Sequence, residues 1–193
     1  MVDVHLKCSC GKVQGVAKEV SPHSGSRVVC YCDDCQAFAR FLGREVDVLD
    51  EYGGTDIYQL TPAQVSITDG AEYLRSMRLR PKGLIRWYTG CCNTPIGNTV
   101  SAALPFVGMV HNFMDDKGAR DKNLGAVRLY VHGKFAKGTP PVKKLYQGIP
   151  LSALPRIIFK MILAKLRGKT RPNPFFDNEG HPVSEPVLTS SSP

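Results

Sequence analysis

Cys30-Tyr31-Cys32-Asp33-Asp34-Cys35 sets three thiols within six residues, a density that ordinary core packing does not require. A turn at this spacing can point all three sulfurs at one ion, and thiolates about 2.3 Å from a common centre make three corners of a tetrahedral zinc site. The fourth corner is not supplied locally. Two further groups flank the stretch, Cys8-Ser9-Cys10-Gly11 upstream and Cys91-Cys92 downstream, so the chain has seven cysteines. An odd number in close pairs is a poor disulfide framework, and Cys8 with Cys10 or Cys30 with Cys32 are too near for relaxed bridges. At 193 residues the chain can bury a core without such staples. The thiols therefore read as metal ligands, against the plainer reading that they are small buried side chains.

Two arrangements satisfy this reading. In one, Cys8 and Cys10 meet Cys91 and Cys92 around a structural zinc, while Cys30, Cys32 and Cys35 hold a second ion with an open, potentially catalytic position. In the other, a single zinc takes four of the seven thiols and the rest are redox-active or buried. Adjacent side chains of extended backbone point to opposite faces, so Cys91 and Cys92 reach one ion only if the chain turns there. His5, His23 and His111 are further ligand candidates, each without ligand spacing.

The segments around the cysteines have strand periodicity. Val2, Val4 and Leu6 alternate with Asp3, His5 and Lys7. Lys12 to Val20 resumes the alternation, with Val13 and Val16 as inward positions, and Arg27-Val28-Val29 delivers Cys30. Residues 36–42 have helical character and end at Gly43. Strands are predicted over 56–60, 64–68 and 126–131, and a hairpin through Leu84-Ile85-Arg86-Trp87-Tyr88 leads into Cys91-Cys92. Many short strands separated by turns define a mainly β domain over residues 1–137.

Gly138-Thr139-Pro140-Pro141 marks a boundary, and Ser152 to Arg167 takes helical spacing. Ser152 is the expected N-cap, Pro155 fits the first turn and Gly168 the end. Leu154, Ile158, Met161 and Ile162 form the apolar stripe of an amphipathic α-helix, expected to pack a 138–172 extension on the core. The Pro- and Ser-rich tail, 173–193, is expected to be disordered. Most of the net charge of +8 lies in this last third, and no acidic residue occurs between Lys134 and Arg171. A basic amphipathic segment suits a membrane surface or a partner; the lack of interleaved aromatic residues argues against nucleic acid. No cationic region followed by an apolar run opens the chain, and no run of about 18 apolar residues occurs, so the expected setting is cytoplasmic.

Cys8-Ser9-Cys10-Gly11, then Cys30-Tyr31-Cys32-Asp33-Asp34-Cys35, then an aromatic strand into Cys92-Asn93-Thr94-Pro95, resembles the glutathione-dependent formaldehyde-activating enzyme (Gfa) family, which includes centromere protein V-like proteins. The likeness spans roughly residues 4–100. It implies a β-tent fold pinned by zinc knuckles, a structural zinc on the first and last cysteines, and a second zinc on Cys30, Cys32 and Cys35 beside which glutathione binds. The family's late motif is Phe-Cys-x-x-Cys-Gly-Thr, where this chain has Tyr88-Thr89-Gly90-Cys91-Cys92-Asn93-Thr94. Thr89 thus stands where the resemblance implies a ligand, with Cys91 as a displaced candidate for that place, and the basic extension lies outside the resemblance.

The function so implied is a carbon-sulfur lyase or synthase acting on a thiol adduct of an aldehyde, using one or two zinc ions. Tyr31, Asp33 and Asp34 lie near enough in sequence to help move protons, although aspartates are equally common in solvated turns. The alternative is a non-enzymatic, zinc-stabilised module that docks through its basic helix.

Overall fold

A computed structural model of the protein describes residues 1–24, 26–115 and 118–189. The fold is mainly β. In chain order the strands are β1 (Val2–Lys7), β2 (Gln14–Val20), β3 (Arg27–Cys30), β4 (Thr55–Leu60), β5 (Val65–Asp69), β6 (Leu74–Arg78), β7 (Ile85–Thr89), β8 (Pro95–Thr99), β9 (Val107–Val110), β10 (Leu129–Val131) and β11 (Val187–Leu188). Among the described residues four α-helices join them: α1 (Asp33–Phe41), α2 (Glu45–Val48), α3 (Arg120–Leu124) and α4 (Leu154–Leu166).

The strands form a three-stranded sheet, β1-β2-β5, and an eight-stranded sheet, β10-β3-β4-β9-β8-β7-β6-β11. Only the outer pairs β10–β3 and β11–β6 are parallel. Val4 and Leu6 of β1, Ala17 and Val20 of β2, and Val65 of β5 bury into one cluster with Tyr58, Trp87, Ile96 and Met109 of the large sheet. The alternation in β1 thus has its physical cause: one face meets the core and the other meets water.

Along β2 and the residue before it, the inward set is Val13, Gly15 and Ala17, while Val16 is only half-buried. Val13 and Val16 have opposite parity, so a single strand cannot turn both inward. Gly15 takes the tight position, since a Cβ there would stand 2.2 Å from the Ser66 carbonyl oxygen.

The C-terminal third departs further from expectation. The tail is not detached from the core: Phe175 and Phe176 are buried against Trp87, with ring centroids 5.1 and 6.0 Å away, and β11 extends the large sheet. Three aromatic rings gain more from burial than Pro- and Ser-rich composition indicates. Residues 190–193 of the expected disordered tail lie outside the described residues.

Helix α4 begins at Leu154, with Ser152 in a preceding 3-10 turn and Ala153 as a cap that makes no side-chain bond. None of its residues is buried. Ile157, Met161 and Ala164 turn toward Leu60, Pro105 and Phe106, whereas Ile158 and Ile162 of the predicted packing stripe are 53% and 54% exposed. Leu154 and Met161 of the predicted stripe stay half-buried, so the inward face is rotated from it by roughly 80°, less than one residue step. No helix among the described residues is long and apolar enough to cross a membrane.

Candidate metal centres

Two groups of thiols converge, as Cys8, Cys10, Cys91 and Cys92 and as Cys30, Cys32 and Cys35, each with all sulfurs within 4.8 Å of one another. Either could hold a metal ion. Among the described residues neither group includes His5, His23 or His111.

The four-thiol centre is built from two tight turns. After β1, Gly11 adopts φ +78° and its amide donates to the Cys8 carbonyl at 3.0 Å, while the Val13 amide donates to Cys8 Sγ at 3.2 Å. After β7, Asn93 adopts φ 54°, a left-handed conformation that Asn tolerates, and this turn brings both Cys91 and Cys92 to one side. The sulfur separations are 3.6 Å for Cys8–Cys10, 3.9 Å for Cys8–Cys91, 3.4 Å for Cys10–Cys91 and 3.8 Å for Cys91–Cys92. A tetrahedron with metal–sulfur bonds of about 2.3 Å has edges of about 3.8 Å. The donor set therefore fits a four-coordinate thiophilic ion.

Thr89 does not take a ligand place. Its buried hydroxyl lies 3.3 Å from Cys92 Sγ and accepts from the Thr94 amide at 3.1 Å, and Thr94 Oγ1 lies 3.2 Å from the same sulfur. Burial would push the Cys92 thiol up, but hydrogen bonds from Ser9, Thr89, Thr94 and the Cys10 backbone outweigh it and bring its pKa down to about 5. Burial foremost pushes Cys91 up to about 12. Ser9 also donates its amide to Thr94 Oγ1 at 3.0 Å, tying the two turns together. A cavity of about 480 Å³ opens beside Cys8, Ser9 and Thr94, with Lys7, Arg44 and His111 in its walls.

The three-thiol centre has a different construction. Cys30 ends β3, Cys32 is the N-cap of α1, and Cys35 lies in the helix's first turn with its amide 3.3 Å from Cys32 Sγ. The helix starts three residues before the predicted Gln36 because the Cys32 sulfur itself serves as the capping acceptor. Asp33 and Asp34 thereby become first-turn residues, where carboxylates complement the helix dipole.

Cys35 is buried, and Cys30 and Cys32 are half-buried. Hydrogen bonds from Cys30 and Cys32, reinforced by the Arg86 guanidinium, hold the Cys35 thiol well below its ordinary range. Donation toward Cys32 and Cys35 raises Cys30.

Arg86 is the residue that the sequence pattern did not single out. It lies on β7, only 3% exposed, 3.9 Å from Cys35 Sγ and 3.8 Å from Asp34, with its guanidinium over the Phe38 ring. The available signal was a lone arginine between Ile85 and Trp87, with no acidic residue in its strand. Arg80 joins the same group, 3.2 Å from Asp34. The Asp34 carboxylate is therefore paired with two cations. Tyr31 serves another purpose, since it is buried and its hydroxyl donates to Asp50 at 3.4 Å.

These features define a mainly β protein with two separate cysteine centres, one four-sided and one three-sided. Residues 1–186 match the model of a family described as a family of unknown function, DUF6151, and the chain belongs to that family. No curated protein matches the sequence. Among solved structures, the chain is similar to a structural-genomics crystal structure of a Rhodobacter sphaeroides protein, with 18% identity, a TM-score of 0.43, and coverage of 64% of this chain and 96% of that one.

Proposed function

We propose that the chain is a Gfa-like β-tent zinc protein in which Cys8, Cys10, Cys91 and Cys92 hold a structural ion and Cys30, Cys32 and Cys35 hold a working one. The observation that carries this reading is the difference in ligand number: four thiols close one centre, and three leave a position open at the other. All-thiolate donor sets suit zinc, and an open position is what separates catalytic from structural sites.

The reaction is addition of a thiol to an aldehyde, or its reverse, with glutathione as the thiol class. A sulfur–carbon bond forms at the carbonyl carbon and the thiol proton ends on the carbonyl oxygen, giving a hemithioacetal with no redox change. When bound, zinc lowers the pKa of a thiol placed in the open position. Arg86 offsets negative charge beside the cluster from its buried place 3.9 Å from Cys35. Arg80, on the exposed side, provides a cation for a substrate carboxylate. Cys30 and Cys32 are half-buried and Cys35 is buried, so the open position would be reached past Cys30 and Cys32. The cavity beside Cys8 belongs to the closed centre and is assigned no role in this reaction.

The test combines metal content with turnover. Zinc per chain is measured for the parent, Cys30→Ser and Cys92→Ser, and hemithioacetal formation from glutathione and formaldehyde is followed by exchange NMR. Two ions in the parent, one in a folded Cys30→Ser variant, and acceleration only by the parent support the reading. A two-zinc parent that gives no acceleration removes this substrate pair, and one ion throughout removes the two-centre arrangement.

A further inference from the structure

We infer that the outer face of α4 is a docking surface for an anionic lipid bilayer. Ile158, Phe159, Ile162 and Leu166 stand 53%, 66%, 54% and 80% exposed on one side of this helix, and Leu151 in the preceding turn is 80% exposed. At about 100° per residue these four helical positions fall within one arc of about 100°. Lys165 lies at one edge of that arc, and Arg156 and Arg167 lie beyond the other, the arrangement of helices that lie in a membrane interface.

The helix is held in this orientation from behind. Ile157 and Met161 face Leu60 and Phe106, the Lys160 ammonium donates to the Ser24 carbonyl, and the Ala63 amide donates to the Lys169 carbonyl at 3.2 Å. The apolar arc therefore cannot satisfy itself by rolling inward.

Charge identifies the occupant. From Lys134 to Arg171 the chain has ten basic residues and no acidic one. Arg128 and Arg156 stand close enough to Lys160 to depress its pKa further, after burial as the main cause. A second copy meeting the face about a two-fold axis would set Arg156, Lys165 and Arg167 against their own kind, which disfavours self-association. Anionic headgroups complement the same edge, and each basic residue near such a surface is worth on the order of fivefold in partitioning. With 13 residues the helix is too short to span a bilayer, so the contact is interfacial.

The experiment is flotation of the full zinc-loaded chain with vesicles of phosphatidylcholine containing about 30% phosphatidylglycerol, and with pure phosphatidylcholine, at low and high salt. The parent is expected to bind the anionic vesicles and to release in high salt. Phe159→Glu with Ile162→Glu should weaken binding at least about tenfold, and Lys165→Glu with Arg167→Glu about twentyfold, with zinc content unchanged. Failure of the parent to bind anionic vesicles overturns the inference, as does equal binding by the apolar variant. A parent dimer in sedimentation that the apolar variant dissolves, with neither form floating, assigns the face to a second copy instead.

Discussion

Cys91 Sγ lies 3.4 Å from Cys10 Sγ, although the two residues are 81 positions apart, while Thr89 offers only a hydroxyl to the neighbouring Cys92. Cys91 thus completes the four-thiol group, and the Thr89 hydroxyl supports its neighbour Cys92. Cys91→Ser is expected to lose one metal ion per chain and most of the folded population. Thr89→Val should keep the ion but bind it about 10- to 100-fold more weakly, as when outer hydrogen bonds to a ligand are removed. Competition with a chromophoric chelator measures both.

Arg86 is buried beside Cys35, 3.9 Å from its sulfur. Arg86→Gln should weaken metal binding at Cys30, Cys32 and Cys35 by about 10- to 100-fold while leaving the four-thiol centre at full occupancy. Cobalt substitution separates the two, since loss of thiolate-to-metal absorbance would be confined to one of the two sites. Equal weakening at both centres would mean that Arg86 acts only through global stability.

Phe175 stacks on Trp87 with no exposed surface. Phe175→Ala should destabilise the fold by about 3–5 kcal/mol, the range for emptying a buried aromatic site. Phe159→Ala, on the open face of α4, should change stability by no more than about 0.5 kcal/mol. Chemical denaturation of both variants checks the contrast.

Arg27 is 8% exposed and joins Asp56 through two nitrogens, at 3.1 and 2.8 Å, while also reaching Asp121 and the Gly125 carbonyl. It ties β3 and β4 to the N-terminal turn of α3. Arg120 stays within 3.9 Å of Asp56 and Asp121 is largely exposed, so Arg27→Ala should lose about 1–3 kcal/mol, mainly its buried hydrogen bonds. Thermal melting at matched zinc content provides the comparison.

Burial, aided by Arg120, lowers the pKa of His111 below its ordinary 6.5, and its Nδ1 stands 3.2 Å from the Asp56 carbonyl. The unfolded chain takes up a proton as pH falls through 6.5, and the folded chain does so only at lower pH. Stability is therefore complete above that value and declines from there toward the folded pKa. His111→Asn should remove this part of the acid decline, seen as a smaller drop in denaturation midpoint between about pH 7.5 and about pH 5.5.

Much of this architecture was readable from residue order. The alternation of Val4 and Leu6, the turn residues Gly11 and Asn93, and the three cysteine groups all act through local backbone geometry, which leaves a pattern in sequence. What was not readable depends on long-range partners. Phe175 is drawn into order by Trp87, 88 positions earlier, and no composition rule contains that contact. Cys32 capping α1 was obscured because a sulfur, rather than the usual oxygen, accepts the helix amide. In α4 both neighbouring stripes are apolar, so periodicity alone could not distinguish Ile157 from Ile158 as the inward residue.

The two cysteine centres also differ in when they can exist. Cys30, Cys32 and Cys35 close a loop of a few residues and can assemble as soon as that stretch leaves the ribosome. The other centre joins Cys10 to Cys91 across 81 positions. Loop-closure entropy grows as about (3/2)RT ln n, which makes the longer closure dearer by roughly 2 kcal/mol before any packing is gained. A nascent chain therefore passes through an interval in which the open, three-thiol centre is formed and the closed one is not. During synthesis, the four-thiol centre becomes possible only once Cys92 has been made, about halfway along the chain.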